Sequence, residues 1–352
     1  MKKEIRVIVI DDSAFMRKVI SDILMSDRRI KVVATARNGK DGLKKINALN
    51  PDVVTLDVEM PVMDGITTLH HIMTTHPLPV VMLSSTTTES ATKTVQAVSM
   101  GAIDFIAKTS EPISLDIRNI KEEIISKVMT AANAKVSVPT KKKTEKNEQV
   151  WLPQSARTVI AIGTSTGGPK ALEQILSSLP KNFPSPILIV QHMPASFTKS
   201  LADRLNDHAS LDVKEANHGE IVQPATAYIA PGNKHMTIQQ EGTTEVIKLT
   251  NDAHKNGHRP SVDVLFNSVA TLNDVNKIAV ILTGMGKDGA ASIKHLKRND
   301  QNAIVLAESS DTAVINGMPI AAIKTQCVDK VLSLHQMSDI LTNLVQQSRG
   351  LY

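Results

Sequence analysis

Aromatic side chains are scarce in this sequence: five Phe, two Tyr and one Trp make up 2% of 352 residues, while 41% are hydrophobic. Any core must therefore be built from Ile, Val, Leu, Ala and Met, and a disordered or fibrous chain is excluded. Cysteine occurs once, as Cys327. That excludes an internal disulfide and any cysteine-rich metal site, and it points to a reducing compartment, the cytoplasm. Cys327 has apolar neighbours and no glycine turn, so a buried thiol is expected there rather than a nucleophile. Long apolar runs are missing as well. None approaches the ~18 residues needed to span a bilayer, so a soluble chain with no membrane insertion is expected. Residues 1–4 are basic like the start of a signal peptide, but the apolar stretch 7–10 runs straight into Asp11 and Asp12. That leaves room for a buried strand and none for a signal peptide's apolar region.

The net charge of +5 and pI of about 9.1 are unevenly distributed. Residues 130–157 hold Lys135, Lys141, Lys142, Lys143, Lys146 and Arg157 against Glu145 and Glu148, a net +4 of the chain's +5. The remainder is nearly neutral and has no concentrated basic face, so nucleic acid is not an expected partner. A lysine run beside Pro139, Thr140 and Asn147 with little hydrophobicity reads as a solvated linker. The chain is about twice the length of an average domain, and the linker divides it into residues 1–129, a basic flexible linker over 130–155, and a second domain over 156–350.

In the first domain, short β-branched runs (RVIVI, KVVATA, DVVTL, PVVMLS, AIDFIAK) alternate with helix-period segments. Phe15, Met16, Val19, Ile20, Ile23 and Leu24 fit one helix face. Five such units predict a parallel sheet covered on both sides, with function gathered at the carboxyl ends of its strands. Those ends carry Asp11 and Asp12, then Asp57, Ser84 and Lys108. Any single strand-end aspartate is more simply a helix cap. Three clustered carboxylates, however, repel one another unless a cation sits among them, and hard oxygen ligands with open positions suit Mg²⁺.

With these residues in this order, the first domain resembles the receiver domain of two-component response regulators, a flavodoxin-like (βα)5 fold. The resemblance implies that Asp57 accepts a phosphoryl group and that Asp12, Asp57 and the Glu59 carbonyl bind Mg²⁺ with Asp11 in support. It also implies that Ser84 and Lys108 contact the phosphoryl oxygens and that Phe105 is the switch aromatic. Thr109 departs from the pattern, since receivers usually carry proline after the lysine.

After the linker the strand pattern restarts with TVIAIG, followed by TSTGGPKALEQILSSL at helical period. Residues 163–170 lack the Gly-Lys-Ser/Thr ending of a phosphate loop, and the following strand offers no ribose-binding acid. Residues 163–167 do fit Gly-x-Ser-x-Gly, which projects a serine hydroxyl from a tight strand-to-helix turn. The next apolar strand ends at His192, and a later one runs through Met285 into Asp288. Ser165 would attack a carbonyl, His192 would shuttle the proton and Asp288 would orient the imidazole. The order Ser, His, Asp disfavours an α/β-hydrolase but not the chemistry, because triads are defined by geometry. Gly167 and Gly168 would let backbone approach the acyl centre, and the N–H of Thr166 or of Met285 would serve as oxyanion donor. Each residue alone also has a structural explanation: Ser165 as a helix N-cap, His192 as a satisfied core histidine, Asp288 as a turn or cap residue. His254 and His258, four residues apart in a polar segment without a third ligand, read as loop residues.

The blocks GTSTGGP (163–169), QHMP (191–194), RPSVDVLF (259–266) and TGMGKDG (283–289) closely resemble the chemotaxis protein-glutamate methylesterases, the CheB family, and the resemblance covers essentially the whole chain. It implies a doubly wound, mainly parallel α/β catalytic domain without a cofactor of its own. Its substrates would be glutamate γ-methyl esters and glutamines on methyl-accepting chemotaxis receptors, with a chemotaxis histidine kinase as phosphodonor. A phosphorylation-switched binding module without catalysis is the alternative, disfavoured because all three triad residues are present. A DNA-binding regulator is disfavoured by the missing basic face.

Overall fold

The computed structural model describes residues 4–108, 117–134, 152–153 and 157–348. Most of the expected linker, and Thr109, lie outside the described residues. The chain divides into two compact units, Met1–Ser137 and Val138–Tyr352.

The first unit alternates strand and helix throughout: β1 (Ile5–Ile10), α1 (Ala14–Met25), β2 (Ile30–Ala36), α2 (Gly39–Leu49), β3 (Val53–Asp57), α3 (Gly65–Thr75), β4 (Val80–Ser85), α4 (Thr88–Met100), β5 (Asp104–Lys108) and α5 (Ile117–Ala131). Its strands form one parallel sheet in the order β2-β1-β3-β4-β5, the doubly wound arrangement the sequence predicts. The central strands are apolar on both faces because helices cover both; Val7, Ile8, Val9 and Ile10 are all fully buried. Side-chain caps start four of the helices, from Ser13, Asn38, Asp64 and Thr87. One expectation fails. Phe15 does not join the buried face of α1, which is made by Ile20, Ser21 and Leu24, and it is 58% exposed. It sits in the first turn of the helix, before the buried stretch begins.

The second unit contains β6 (Thr158–Thr164), α6 (Gly168–Ser178), β7 (Ile187–Gln191), α7 (Ala195–His208), β8 (Asp212–Glu215), β9 (Thr226–Ile229), β10 (His235–Glu241), β11 (Thr244–Thr250), α8 (Val262–Ala270), β12 (Asn276–Ile281), α9 (Ala290–Asn299), β13 (Ile304–Glu308), α10 (Gly317–Ile323), β14 (Lys330–Leu332) and α11 (Leu334–Ser348). Seven strands form a parallel sheet in the order β14-β13-β12-β6-β7-β9-β8. Antiparallel pairing occurs outside this sheet, in the separate β10–β11 hairpin and in isolated bridges between Ile221 and Val246 and between Lys255 and His258. From β6 the chain winds outward through β7 to β9 and β8, then returns to build β12, β13 and β14 on the other side. The direction of winding thus reverses between β6 and β12, and a crevice opens at such a switch point beyond the strand ends.

The core is aliphatic, as the composition demands, but the few aromatics are concentrated in it. Tyr228, Phe183, Phe197 and Phe266 are among its largest fully buried side chains. Cys327 is half-buried against this core, with its thiol toward the Thr325 carbonyl, so the expectation of a buried thiol is corrected to a partly exposed one. Among the described residues no helix is long and apolar enough to cross a membrane.

Candidate active site

Two polar constellations stand at strand ends, one in each unit. In the first unit, Asp11, Asp12 and Asp57 each place a carboxylate oxygen so that the three atoms lie within 4.8 Å of one another. Asp11 and Asp57 are buried, Asp12 is exposed. Lys108 Nζ reaches Asp57 Oδ2 and Asp11 Oδ2 at 2.8 Å each. Burial pushes the Asp57 carboxyl up to about 6, with Asp11 adding to the rise, against the opposing pull of Lys108 and the Glu59 N–H. The Lys108 ammonium is penalised by its own burial, yet Asp57 and Asp11 outweigh that and raise its affinity for the proton. Three hard oxygen donors with one open, exposed side fit a divalent cation such as Mg²⁺. Ser84 is fully buried with its hydroxyl bonded to Ser90 Oγ (2.9 Å) and Thr94 Oγ1 (2.6 Å) of α4. Phe105 is also buried, with Lys127 Nζ 5.2 Å from its ring centroid. These hydroxyl bonds tie the end of β4 to α4.

In the second unit, Ser165 directly follows β6 and His192 directly follows β7. The parallel register pairs Thr164 with Gln191, and the His192 N–H donates to the Thr164 carbonyl, so the two residues leave adjacent strands side by side. Ser165 is half-buried in a turn held from three directions. Its N–H donates to Thr283 O (3.0 Å), and its carbonyl accepts the Gly168 N–H (2.8 Å) and Gln191 Nε2 (2.9 Å). Ser165 does not cap α6, because Gly167 holds the N-cap position at φ +81°. The glycines also have a packing reason beneath the turn. A Cβ on Gly167 would lie 2.8 Å from Val314 Cβ, and one on Gly168 would overlap Gln191 and Thr164.

His192 Nε2 lies 2.9 Å from Asp288 Oδ2, while Nδ1 is buried without a hydrogen-bond partner. That is not a satisfied core histidine; one nitrogen is pinned and the other is open. Asp288 does lie in the turn before Gly289, but its side chain does more than cap that turn. Its carboxylate also accepts Asn256 Nδ2 (2.8 Å), Ser261 Oγ (2.9 Å) and the backbone N–H groups of Val262 (2.7 Å) and Asp263 (3.3 Å) at the start of α8. Burial favours its neutral form, but His192, Asn256 and the Val262 N–H outweigh that and hold the carboxyl well below the usual range. A carboxylate set on a helix N-terminus gains from the dipole as well.

The two expected oxyanion donors flank the serine. Thr166 is the next residue, and Met285 follows Gly284, whose missing side chain leaves room for Ser165 (a Cβ there would lie 2.9 Å from Ser165 Cβ). Four contributors received no role from the sequence: Asn256, Ser261, His258 and Thr283. The His258 ring stacks on His192. Thr283 holds Ser165, and its hydroxyl donates to Thr166 O (2.9 Å) or Ile315 O (3.2 Å). Ser261 and Thr283 fall inside the motif blocks, which marked their segment without assigning their side chains.

Beneath Thr283 lies Glu308, fully buried, accepting the Thr283 N–H (2.8 Å) and the Thr312 hydroxyl (3.0 Å). Burial pushes its carboxyl up to about 7 from 4.5. The folded state then holds this proton more tightly than the unfolded one. Stability is therefore greatest at low pH, falls as pH rises from about 4.5 to about 7, and is flat above that. Glu308→Gln, which cannot ionise, should be more stable than the parent by up to ~3 kcal/mol at pH 8 and nearly equal at pH 4.5. Urea unfolding at both pH values reads this, and a pH-independent difference would show that Glu308 does not titrate in this window.

A receiver-like sheet with a lysine-bridged acidic edge, joined to an α/β domain with Ser, His and Asp at its switch point, defines a response regulator with a hydrolase output domain. Comparison with known proteins makes this specific. Residues 160–341 match the CheB methylesterase family and residues 7–118 the response regulator receiver domain. The chain is 53% identical to a protein-glutamate methylesterase/protein-glutamine glutaminase of Oceanobacillus iheyensis, covering 96% of this chain and 98% of that one. It is 42% identical to the Bacillus subtilis protein of the same name, covering 98% and 99%. Among solved structures it resembles the Thermotoga maritima CheB methylesterase catalytic domain, at 42% identity and a TM-score of 0.51 over 53% of this chain and 98% of that one. The chain belongs to the CheB methylesterase family, as a hydrolase preceded by a receiver domain.

Proposed function

We propose that the chain hydrolyses glutamate γ-methyl esters on methyl-accepting chemotaxis receptors to carboxylate and methanol, deamidates receptor glutamines, and is switched by phosphorylation of Asp57 from a chemotaxis histidine kinase. The observation that carries this is the His192 ring, at the end of the strand next to that of Ser165, with Nε2 held by Asp288 and Nδ1 buried without a hydrogen-bond partner. Ser165 Oγ attacks the γ-carbonyl and gives its proton to His192 Nδ1. The N–H groups of Thr166 and Met285 stabilise the oxyanion. Collapse expels methanol, or ammonia from a glutamine, with the proton returned by His192, and water then hydrolyses the glutamyl ester on Ser165. Asp288 stays ionised throughout and stabilises the imidazolium.

In the receiver, Asp12, Asp57 and the Glu59 carbonyl, with Asp11 in support, would hold Mg²⁺, which would supply charge neutralisation at the transferring phosphoryl oxygens. Lys108 and Ser84 receive those oxygens, and Phe105 repacks with Ser84. The domains run over residues 1–129 and 156–350, joined by residues 130–155, and the site of action is the cytoplasm, beside the receptors' cytoplasmic helices. The test is methanol release from methylated receptor membranes with and without a small phosphodonor. Release in neither condition would leave a non-catalytic binding module.

The unphosphorylated receiver is proposed to inhibit turnover at Ser165, since phosphorylation alters turnover only by a differential free energy between two states. Deleting residues 1–147 should then raise basal turnover on receptors and abolish the response to phosphodonor. A folded fragment no faster than the unphosphorylated parent would replace inhibition with direct activation.

A further inference from the structure

The His258 ring lies flat on His192, with centroids 3.8 Å apart and planes inclined by 7°. A hydrogen bond donated to Asp288 fixes one atom of the His192 ring but leaves the ring free to tilt about that point, carrying Nδ1 out of line. A flat partner removes that freedom, because offset or parallel contact is kept only in one plane. His258 is itself rigidly presented. The Lys255 N–H donates to its carbonyl (3.0 Å) and its own N–H donates to Lys255 O (2.9 Å), closing a two-residue turn over Asn256 (φ +54°) and Gly257 (φ +82°). The same turn reaches the acid: Asn256 Nδ2 donates to Asp288 Oδ1 (2.8 Å) and to Asp263 Oδ2 (2.7 Å). One tight turn therefore grips both members of the acid–base pair, Asn256 on the carboxylate and His258 on the imidazole. His254, the other histidine of the segment, is exposed.

We propose that His258 is a positioning residue, which sets the plane of His192 so that Nδ1 faces Ser165. The proposal rests on the triad reading above. It concerns orientation alone, so a flat ring without imidazole nitrogens should serve in its place.

The test uses the full chain with His258→Ala, His258→Phe and Ser165→Ala. Two rates are read: methanol release from methylated receptor membranes, resolved into kcat and KM, and labelling of Ser165 by a small fluorophosphonate, which needs the triad but no receptor contact. His258→Ala should lower kcat and the labelling rate together by roughly 10- to 100-fold, the order expected for a small misplacement of reacting atoms, with KM changed less than about threefold. His258→Phe should return both rates to within about fivefold of the parent. An alanine variant with parental kcat and labelling, a change confined to KM, or a phenylalanine variant as slow as alanine would each overturn the proposal. If the alanine variant does not fold, His258→Gln supplies the non-stacking side chain for the same comparison with phenylalanine. Should Ser165→Ala retain methanol release, the triad reading falls instead.

Discussion

Replacing Ser165 by alanine is expected to leave a folded protein whose methanol release from methylated receptors is lower by a factor on the order of 10⁴ or more. A triad acts as a unit: without the hydroxyl, the open Nδ1 of His192 has no proton to take, and what remains is the contribution of binding and oxyanion donors. The fold should survive because Ser165 is held through its backbone, by Thr283 O, the Gly168 N–H and Gln191 Nε2, and not through its hydroxyl. His192→Ala should lose a similar factor. Asp288→Asn should do so too, because it replaces the only acceptor on Nε2 with a group that also offers donors, and it leaves Asn256, Ser261 and two backbone N–H groups crowded on a neutral side chain. Near-parental turnover in Ser165→Ala would remove the nucleophile. Loss confined to a Cys327 variant would point to a thiol enzyme, for which the half-buried Cys327 has no acid–base partner in any contact seen.

The second large effect concerns Asp57. Incubation with a small phosphodonor should place acid-stable, base-labile phosphate on the parent protein only when Mg²⁺ is present, and Asp57→Asn should carry none. The esterase of this variant should stay at its basal rate with or without donor. Asp57 is the buried carboxylate that Lys108 bridges to Asp11, whereas Asp12 is exposed at the rim. Label persisting on Asp57→Asn would therefore assign the acceptor role to a neighbour. Label appearing without a divalent cation would contradict the use of the three clustered oxygens as its ligands.

The strand-end residues were legible in sequence because parallel α/β sheets place their loops predictably. A buried β-branched run followed by a polar residue is a strand end, and five of them in order are informative where one is not. The same logic brought out Ser165, His192 and Asp288. It failed where side-chain direction, rather than chain position, decides. Phe15 shares the helical period of α1 yet is 58% exposed. At Gly167 and Gly168 a packing demand from Val314, Gln191 and Thr164 was invisible in the local sequence. His258 resembled an unremarkable loop histidine because its partner is 66 positions earlier in the chain and carries no local signal.

What the sequence determined by itself was the inventory: two α/β units, an aliphatic core, the strand ends and the residue types at each. Period and composition are local properties, and they survive without knowledge of which strands pair. Tertiary structure alone decided which nitrogen of His192 is pinned, that α8 turns its N-terminus onto Asp288, that Ser84 is engaged with α4, and that Glu308 lies uncompensated below Thr283. Those of the second unit depend on the strand order, which reverses between β6 and β12. That order is set by long-range burial of both sheet faces, a global minimum to which no single segment holds the key.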